Sequence, residues 1–343
     1  MRYQMIGCGL IAVTCAAVTT AASVSQDGKA AEILAATRKA IGNNRLDSLK
    51  TLSVQASMQR NVGNFQSQTE VEMLLEMPDK YVRSDVSSGM MNMTITTGFN
   101  GAKAIMPAGA RALPGGGMVI TMGGPGAAAH NAGAEAEKPT PEQLDQMNKA
   151  SLRNYRQEIS RLTLGWFGTV HPSMSAQYTY VGEAESPDGK AYVIEAKDED
   201  GFTARLFIDQ NSKLPLMVTY MGRQRQVMTS GVSVQPGGAR VTTSNGAVTS
   251  GGGTMTRQLT EEEAKKLKEQ TEKNVADLKT LTSQSAPMVQ YSLFFEDWRE
   301  VDGINFPHVI RRGSNGTTDE EWTISKVKFN GKIDARKFDV TSR

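Results

Sequence analysis

The sequence predicts an α+β fold built on a large antiparallel sheet and broken by two low-complexity insertions. Three observations carry this. Apolar and polar residues alternate with a period of two through segment after segment, the mark of half-buried strands. Short turns of Gly, Asn, Asp and Pro separate these segments, leaving no room for the crossovers that parallel strands need. Helical periodicity is confined to three stretches, and two glycine-rich stretches interrupt the pattern.

The chain has 343 residues and a formal net charge of +2. It opens with MRYQMIGCGLIAVTCAAVTTAAS, a short basic start, an uncharged small-apolar run and small residues. This predicts a secretory signal peptide over 1–23, cleaved after Ala22 or Ser23. Gly7, Gly9, Thr14, Thr19 and Thr20 weaken the run below the roughly 20 strongly apolar residues of a membrane span. Both cysteines, Cys8 and Cys15, lie in this leader. A mature chain would therefore carry no disulfide, thiol nucleophile or thiolate ligand. AVTC and MIGC are poor lipoprotein-anchoring sites. Losing Arg2 brings the net charge to about +1, which gives no footprint for nucleic acid.

A single domain is expected over 24–343. Its first helix is DGKAAEILAATRKAIGNN, with Asp27 as cap, Gly42 or Asn43 as the left-handed stop, and Ile33, Leu34, Thr37 and Ile41 facing a sheet. In the next segment Leu52, Val54, Ala56 and Met58 alternate with polar residues. Val71, Met73, Leu75 and Met77 then oppose Glu70, Glu72 and Glu76. YVRSDV returns the chain, and MMNMTITTGFNGAKAIMP adds a hairpin with Asn100-Gly101 as its turn.

Residues 107–139 are expected to be a mobile Gly/Ala-rich loop. The second helix spans 141–164, with Pro141 at its first position and Thr140 and Gln143 as a capping box. A meander follows, with turns at PDG, EDG and NSK. Its strands at Phe207 and Met217 are apolar on both faces and so covered on both. The second insertion, 222–286, joins a low-complexity, extended or disordered segment, 222–258, to a charged helix beginning at Thr260. Near the end, YSLFFEDWREVDGINFPHVIRRG reads as a hairpin turning at Asp302-Gly303, with Pro307 at an edge or bulge. Phe294, Glu296 and Trp298 share one face and Leu293, Phe295 and Asp297 the other. Glu300 or Asp302 is positioned to pair with Arg311 or Arg312.

Three stretches together resemble periplasmic outer-membrane lipoprotein-sorting (LolA-like) proteins. They are AIGNNRLDSLKTLSVQASM, VGEAESPDGKAYVIEAKDEDGFTARLFIDQNSKLPLMVTY, and EDWREVDGINFPHVIRR with EWTISKVKFNGKIDARKFDV. The resemblance implies an incompletely closed antiparallel β-barrel, a half-barrel, wrapping around helices and taking acyl chains into the gap. The implied partners are lipid or lipoprotein acyl chains in the periplasm, with no cofactor, no nucleic acid and no integral span after signal cleavage. The alternative is an envelope sensor or scaffold that holds a protein partner, with 107–139 and 222–258 as docking arms.

A carrier needs a dry, adaptable concave surface, and methionine supplies one; the chain has 18. Met58, Met73, Met77, Met217 and Met221 fall in strand patterns. The expected ligand-lining set is Leu52, Val54, Met58, Val71, Met73, Leu75, Met77, Leu216, Val218, Tyr220 and Phe295. The helices near 28–42 and 141–164 are expected to line or cover the cleft. No enzyme is predicted. His130, His171 and His308 make no metal-ligand spacing, no Gly-x-Ser-x-Gly elbow occurs, and GGGMVITMGGPG lacks the Lys-Ser/Thr of a phosphate loop.

Overall fold

The computed structural model describes residues 26–62, 65–87, 93–107, 110–112, 118–120, 140–186, 189–223, 229–235, 238–244 and 287–339. The expected leader with both cysteines, His130 and the helix expected after Thr260 lie outside the described residues. The chain divides into two compact units, one of residues 1–107, 148–222 and 289–343, the other of 108–147 and 223–288.

In chain order, helices α1 (Gln26–Ile41) and α2 (Asn44–Asp47) precede a meander of β1 (Thr51–Val62), β2 (Phe65–Glu76), β3 (Lys80–Ser87), β4 (Met93–Asn100) and β5 (Lys103–Ile105). The short strands β6 (Ala110–Ala112) and β7 (Met118–Ile120) come next, then helix α3 (Pro141–Phe167). A second meander holds β8 (Gln177–Ser186), β9 (Gly189–Lys197), β10 (Thr203–Asp209) and β11 (Pro215–Arg223). After the hairpin β12 (Thr229–Gln235) and β13 (Gly238–Ser244), it resumes with β14 (Met288–Val301), β15 (Ile304–Ser314) and β16 (Thr317–Phe329). A 3₁₀ turn, Ala335–Phe338, closes the described chain.

Twelve strands form one sheet in the order β5-β4-β3-β2-β1-β16-β15-β14-β11-β10-β9-β8. Three sequential runs of strands are thus joined by two non-local seams, β14 beside β11 and β16 beside β1, with β16 antiparallel to both β1 and β15. The outer strands β5 and β8 do not meet, so the sheet is an open α+β half-barrel rather than a closed one. No described helix is long and apolar enough to cross a membrane.

The period-two reading of β1 and β2 holds: Leu52, Val54, Ala56, Met58, Val71, Met73 and Leu75 are all buried on one face. Helix α1 presents Ala30, Ile33, Leu34, Thr37 and Ile41 to that face. It is tied to β15 by Asn305 Nδ2 donating to the Ala40 carbonyl (2.9 Å) and to β8 by Lys29 over the Tyr180 ring (3.9 Å). Its C-terminus ends at Asn43, φ 49°. Asp27 does not cap; it sits in the first turn and accepts from Thr179 Oγ1 (3.3 Å). Helix α3 starts with the expected reciprocal box: Thr140 N–H donates to Gln143 Oε1 (2.9 Å), and Gln143 N–H to Thr140 Oγ1 (3.2 Å). It runs to Phe167, one turn past the expected end, and stops at Gly168, φ 70°, whose N–H bonds the Leu164 carbonyl (3.0 Å), a glycine C-cap.

Other differences are local. The β4–β5 turn is Gly101-Ala102, one residue later than expected, because Asn100 pairs with Lys103 inside the ladder. The 107–139 and 222–258 segments contain the β6–β7 and β12–β13 pairs. The Asp302-Gly303 turn is confirmed, with φ 51° and 75° joining Val301 to Ile304, as a two-residue hairpin demands. Gly303 also admits the Arg45 side chain, which would overlap any Cβ there. Pro307 pairs with Trp298 on the β14 side, while the β15–β16 register begins only at Val309. The missing N–H is thus placed beyond that ladder.

Candidate functional site

The concave face of the sheet is the largest apolar surface of the fold, and two helices lie on it. Eight of the expected lining residues, Leu52, Val54, Met58, Val71, Met73, Leu75, Val218 and Phe295, belong to one continuous core, and Met77 and Tyr220 pack on its margin. Leu216 does not join them. It shares the alternation phase of Val218 but is 43% exposed, because the β10–β11 register shifts here: Phe207 faces Met217 and Ile208 faces Pro215, which leaves Leu216 as the extra residue of a bulge. Met217 is buried in a separate outer-face cluster with Val193 and Phe207, and Met221 is exposed.

Helix α3 fits tightly against this surface. Gly165 meets the Phe295 ring so closely that a Cβ there would overlap it. Trp166 and Phe167 bracket Phe306 at ring-centroid distances of 5.2 and 6.2 Å. Three methionines border the helix layer in polar company: Met58 Sδ lies 3.6 Å from Arg83, Met106 Sδ 3.4 Å from Ser151 Oγ, and Met174 Sδ 3.2 Å from Ser160 Oγ.

The layer is nonetheless not a fully satisfied core. Thr37 Oγ1, Tyr81 OH, Tyr155 OH, Trp166 Nε1 and His171 Nε2 are buried with no hydrogen-bond partner from the described protein groups. Each such group costs about 1–3 kcal/mol. Burial, reinforced by the nearby Glu158 carboxylate, pushes the Tyr155 phenol up to about 12 and the Tyr81 phenol well above its ordinary value. Burial, with the Arg156 charge adding to it, pushes His171 down to about 4. Its Nδ1 accepts from the Ser173 N–H (3.2 Å), so Nε2 carries the proton of the neutral ring. The Phe99 ring lies edge-on to the imidazole at 5.7 Å.

One end of the concave face is ionic. Arg60, Glu320 and Arg312 stand in one cross-strand row of β1, β16 and β15. Glu320, 1% exposed, accepts from Arg60 (3.0 Å), Arg312 and Trp322 Nε1 (2.6 Å). Beside it, Arg83 lies over the Trp322 ring (4.7 Å) and bonds Asp85 (2.7 Å) and Glu158 of α3 (3.1 Å). Burial opposes the Arg83 charge, but the two carboxylates outweigh it and hold the guanidinium firmly protonated. Further along α3, Asn148 bonds the backbone at Ala102 (3.1 Å) and Ala104 (2.8 Å), and Arg156 bonds the Gly101 carbonyl (3.1 Å). Arg161 covers Tyr220 at 4.1 Å, and Tyr220 stacks on Tyr291.

This rim was missed in the sequence, though the signal was there. Continuing the inward parity of Leu52–Met58 reaches Arg60, and that of Ile324 and Trp322 reaches Glu320. The hairpin pairs also differ from expectation. Arg311 bonds Glu296 and Arg312 bonds Glu320, while Asp302 offers only its carbonyl, to Arg45. Trp298 sits with the core that holds Phe295 rather than with Phe294, because Asp297 adopts φ 53° and breaks the alternation. His308 is buried, with Nδ1 3.0 Å from the Phe306 carbonyl. Among the described residues no group of three His, Cys, Asp or Glu could hold a metal.

No protein-family model and no curated protein matches the chain. Among solved structures it is similar to a LolA superfamily protein from Nitrosomonas europaea, at 8% identity over 90% of this chain and 96% of that one, with a TM-score of 0.42. It is also similar to an outer membrane lipoprotein-sorting protein domain from Vibrio parahaemolyticus, at 7% identity over 91% and 97%, with a TM-score of 0.39. A DUF1329 family protein from Desulfovibrio piger follows at 8% identity over 90% and 96%, with a TM-score of 0.37.

Proposed function

We propose that the protein is a periplasmic, non-enzymatic carrier that takes an acyl chain of a lipid or lipoprotein between the curved sheet and helices α1 and α3. The observation that carries this reading is the helix–sheet layer itself. It is apolar and methionine-bearing, yet five buried polar groups on its helices, strands and following loop lack partners. A permanent core would be expected to satisfy such groups. A layer that separates to admit a ligand satisfies them with water or ligand when open. The described state is then the closed one, held by packing at Gly165 and Trp166 and by the ties from Asn148, Arg156 and Glu158. Each methylene transferred out of water contributes about 0.8 kcal/mol, so a long acyl chain brings roughly 10 kcal/mol towards opening. The leader would be removed on export.

Delipidated protein titrated with a fluorescent fatty acyl probe should bind it saturably, and purified protein should carry lipid detectable by mass spectrometry. No binding at saturating probe overturns the carrier. Recovery of an envelope protein with no lipid would instead favour the sensor reading.

A further inference from the structure

The outer face of the sheet carries a second feature, on the side away from the acyl layer. A pocket of about 180 Å³ lies between β1, β2 and β16 and the segment 331–337. Four lysines line it, Lys326, Lys328, Lys332 and Lys337, against two carboxylates, Glu72 and Asp334. Both carboxylates are already matched: Glu72 takes Lys337 at 2.9 Å and Asp334 takes Arg336 at 2.6 Å. Lys326, Lys328 and Lys332 therefore face the same space with no carboxylate of their own among the described residues. Lys326 and Lys328 are two residues apart on one strand face and sit opposite Gln55 and Ser53 of β1, neutral partners that leave their charges unquenched. The neighbouring strand positions Ser57 and Ser325 show that neutral residues fit this surface, so the cluster is not a packing requirement.

We propose that this pocket seats the phosphate of an anionic phospholipid headgroup and docks the outer face of the sheet on a membrane surface. The three lysines supply the charge, and the Ser53 hydroxyl and Gln55 amide supply neutral donors. Leu74 and Ile333, also in the lining, give the glycerol carbons an apolar neighbour. The pocket is open to solvent and lies on the β2-β1-β16 strands, which suits a headgroup held at the bilayer surface rather than an extracted lipid. The proposal does not depend on acyl binding, because its residues point away from the concave face.

The test is co-sedimentation of purified protein with phosphatidylglycerol vesicles and with phosphatidylcholine vesicles at low salt. The protein should bind the former at least tenfold better and be released at high salt, where the screening length falls to a few ångströms. A lysine at an anionic surface is worth about a factor of five in binding. Lys326→Gln/Lys328→Gln/Lys332→Gln should thus weaken binding on the order of 100-fold, with an unchanged melting curve. A control triple, Lys39→Gln/Lys103→Gln/Lys197→Gln, has the same net charge and should bind within about twofold of wild type. Equal loss in both triples, equal binding to the two vesicle types, or no vesicle binding overturns the proposal. So does calorimetric binding of inorganic phosphate by a protein that ignores vesicles. The acyl-probe titration, run on the same variants, reads the concave face separately.

Discussion

Glu320 is the residue on which the ionic rim turns. It is 1% exposed and accepts from two arginines and a tryptophan, so its charge is fully used. Glu320→Gln keeps the shape but removes the buried carboxylate that Arg60 and Arg312 both meet. Breaking a buried pair in this way costs about 3–5 kcal/mol, and the urea midpoint should fall accordingly with an unchanged slope. His171 gives a pH dependence of definite sign. Its folded-state value, lowered to about 4, lies below the 6.5 of a free imidazole, so the unfolded chain binds the proton more readily. The neutral ring's stabilisation is complete above about pH 6.5 and is lost as pH falls towards 4, by at most about 3 kcal/mol. His171→Asn keeps an acceptor for the Ser173 N–H and removes the titration. Its urea midpoint should vary less between pH 4 and 6.5 than that of wild type, and an identical slope would show that His171 is not the source.

Helix α3 shows what was legible in the sequence and what was not. Its start was readable, because Thr140, Pro141 and Gln143 act through bonds to their own neighbours. So was the face of β1, where alternation alone determines which of residues 52–58 are buried. The fit of Gly165 against Phe295 was not readable, since a glycine in a helix carries no sign of what approaches it from 130 residues away. The break at Asp297 was equally hidden: a single positive φ displaced Trp298 locally while the β14–β15 register continued unchanged, and aspartate tolerates that conformation without announcing it. The unpartnered polar groups of the candidate site depend on tertiary burial, which no local pattern reports. Gly165→Ala tests the helix–sheet fit. The added Cβ would overlap the Phe295 ring, and overpacking of this kind costs about 1–3 kcal/mol. Phe295→Leu alone should also destabilise, but the double variant should lose less than the sum. Strict additivity in thermal melts would mean that the two do not meet.

At the scale of the whole molecule, the closed helix layer and the acyl ligand compete for one surface, and this couples stability to affinity. If only the opened state binds, the apparent dissociation constant is the intrinsic one divided by the fraction open. Weakening the closure should therefore tighten ligand binding while lowering the melting temperature, the reverse of what losing a ligand contact would do. Glu158 is the clearest lever. It lies on α3, bonds Arg83 of β3, and is 32% exposed at its side chain, so its removal need not collapse the core. Arg83 keeps Asp85 as a partner in its absence. Glu158→Gln should cost the closed state about 1 kcal/mol, which corresponds to roughly fivefold tighter binding of the fluorescent acyl probe. Hydrogen exchange should rise across 151–167 more than across β1 and β2, because the sheet is held by its own ladders and by the β1–β16 seam. Weaker probe binding by this variant, with the helix layer still protected, would mean that α3 is a fixed wall and that acyl chains do not enter beneath it.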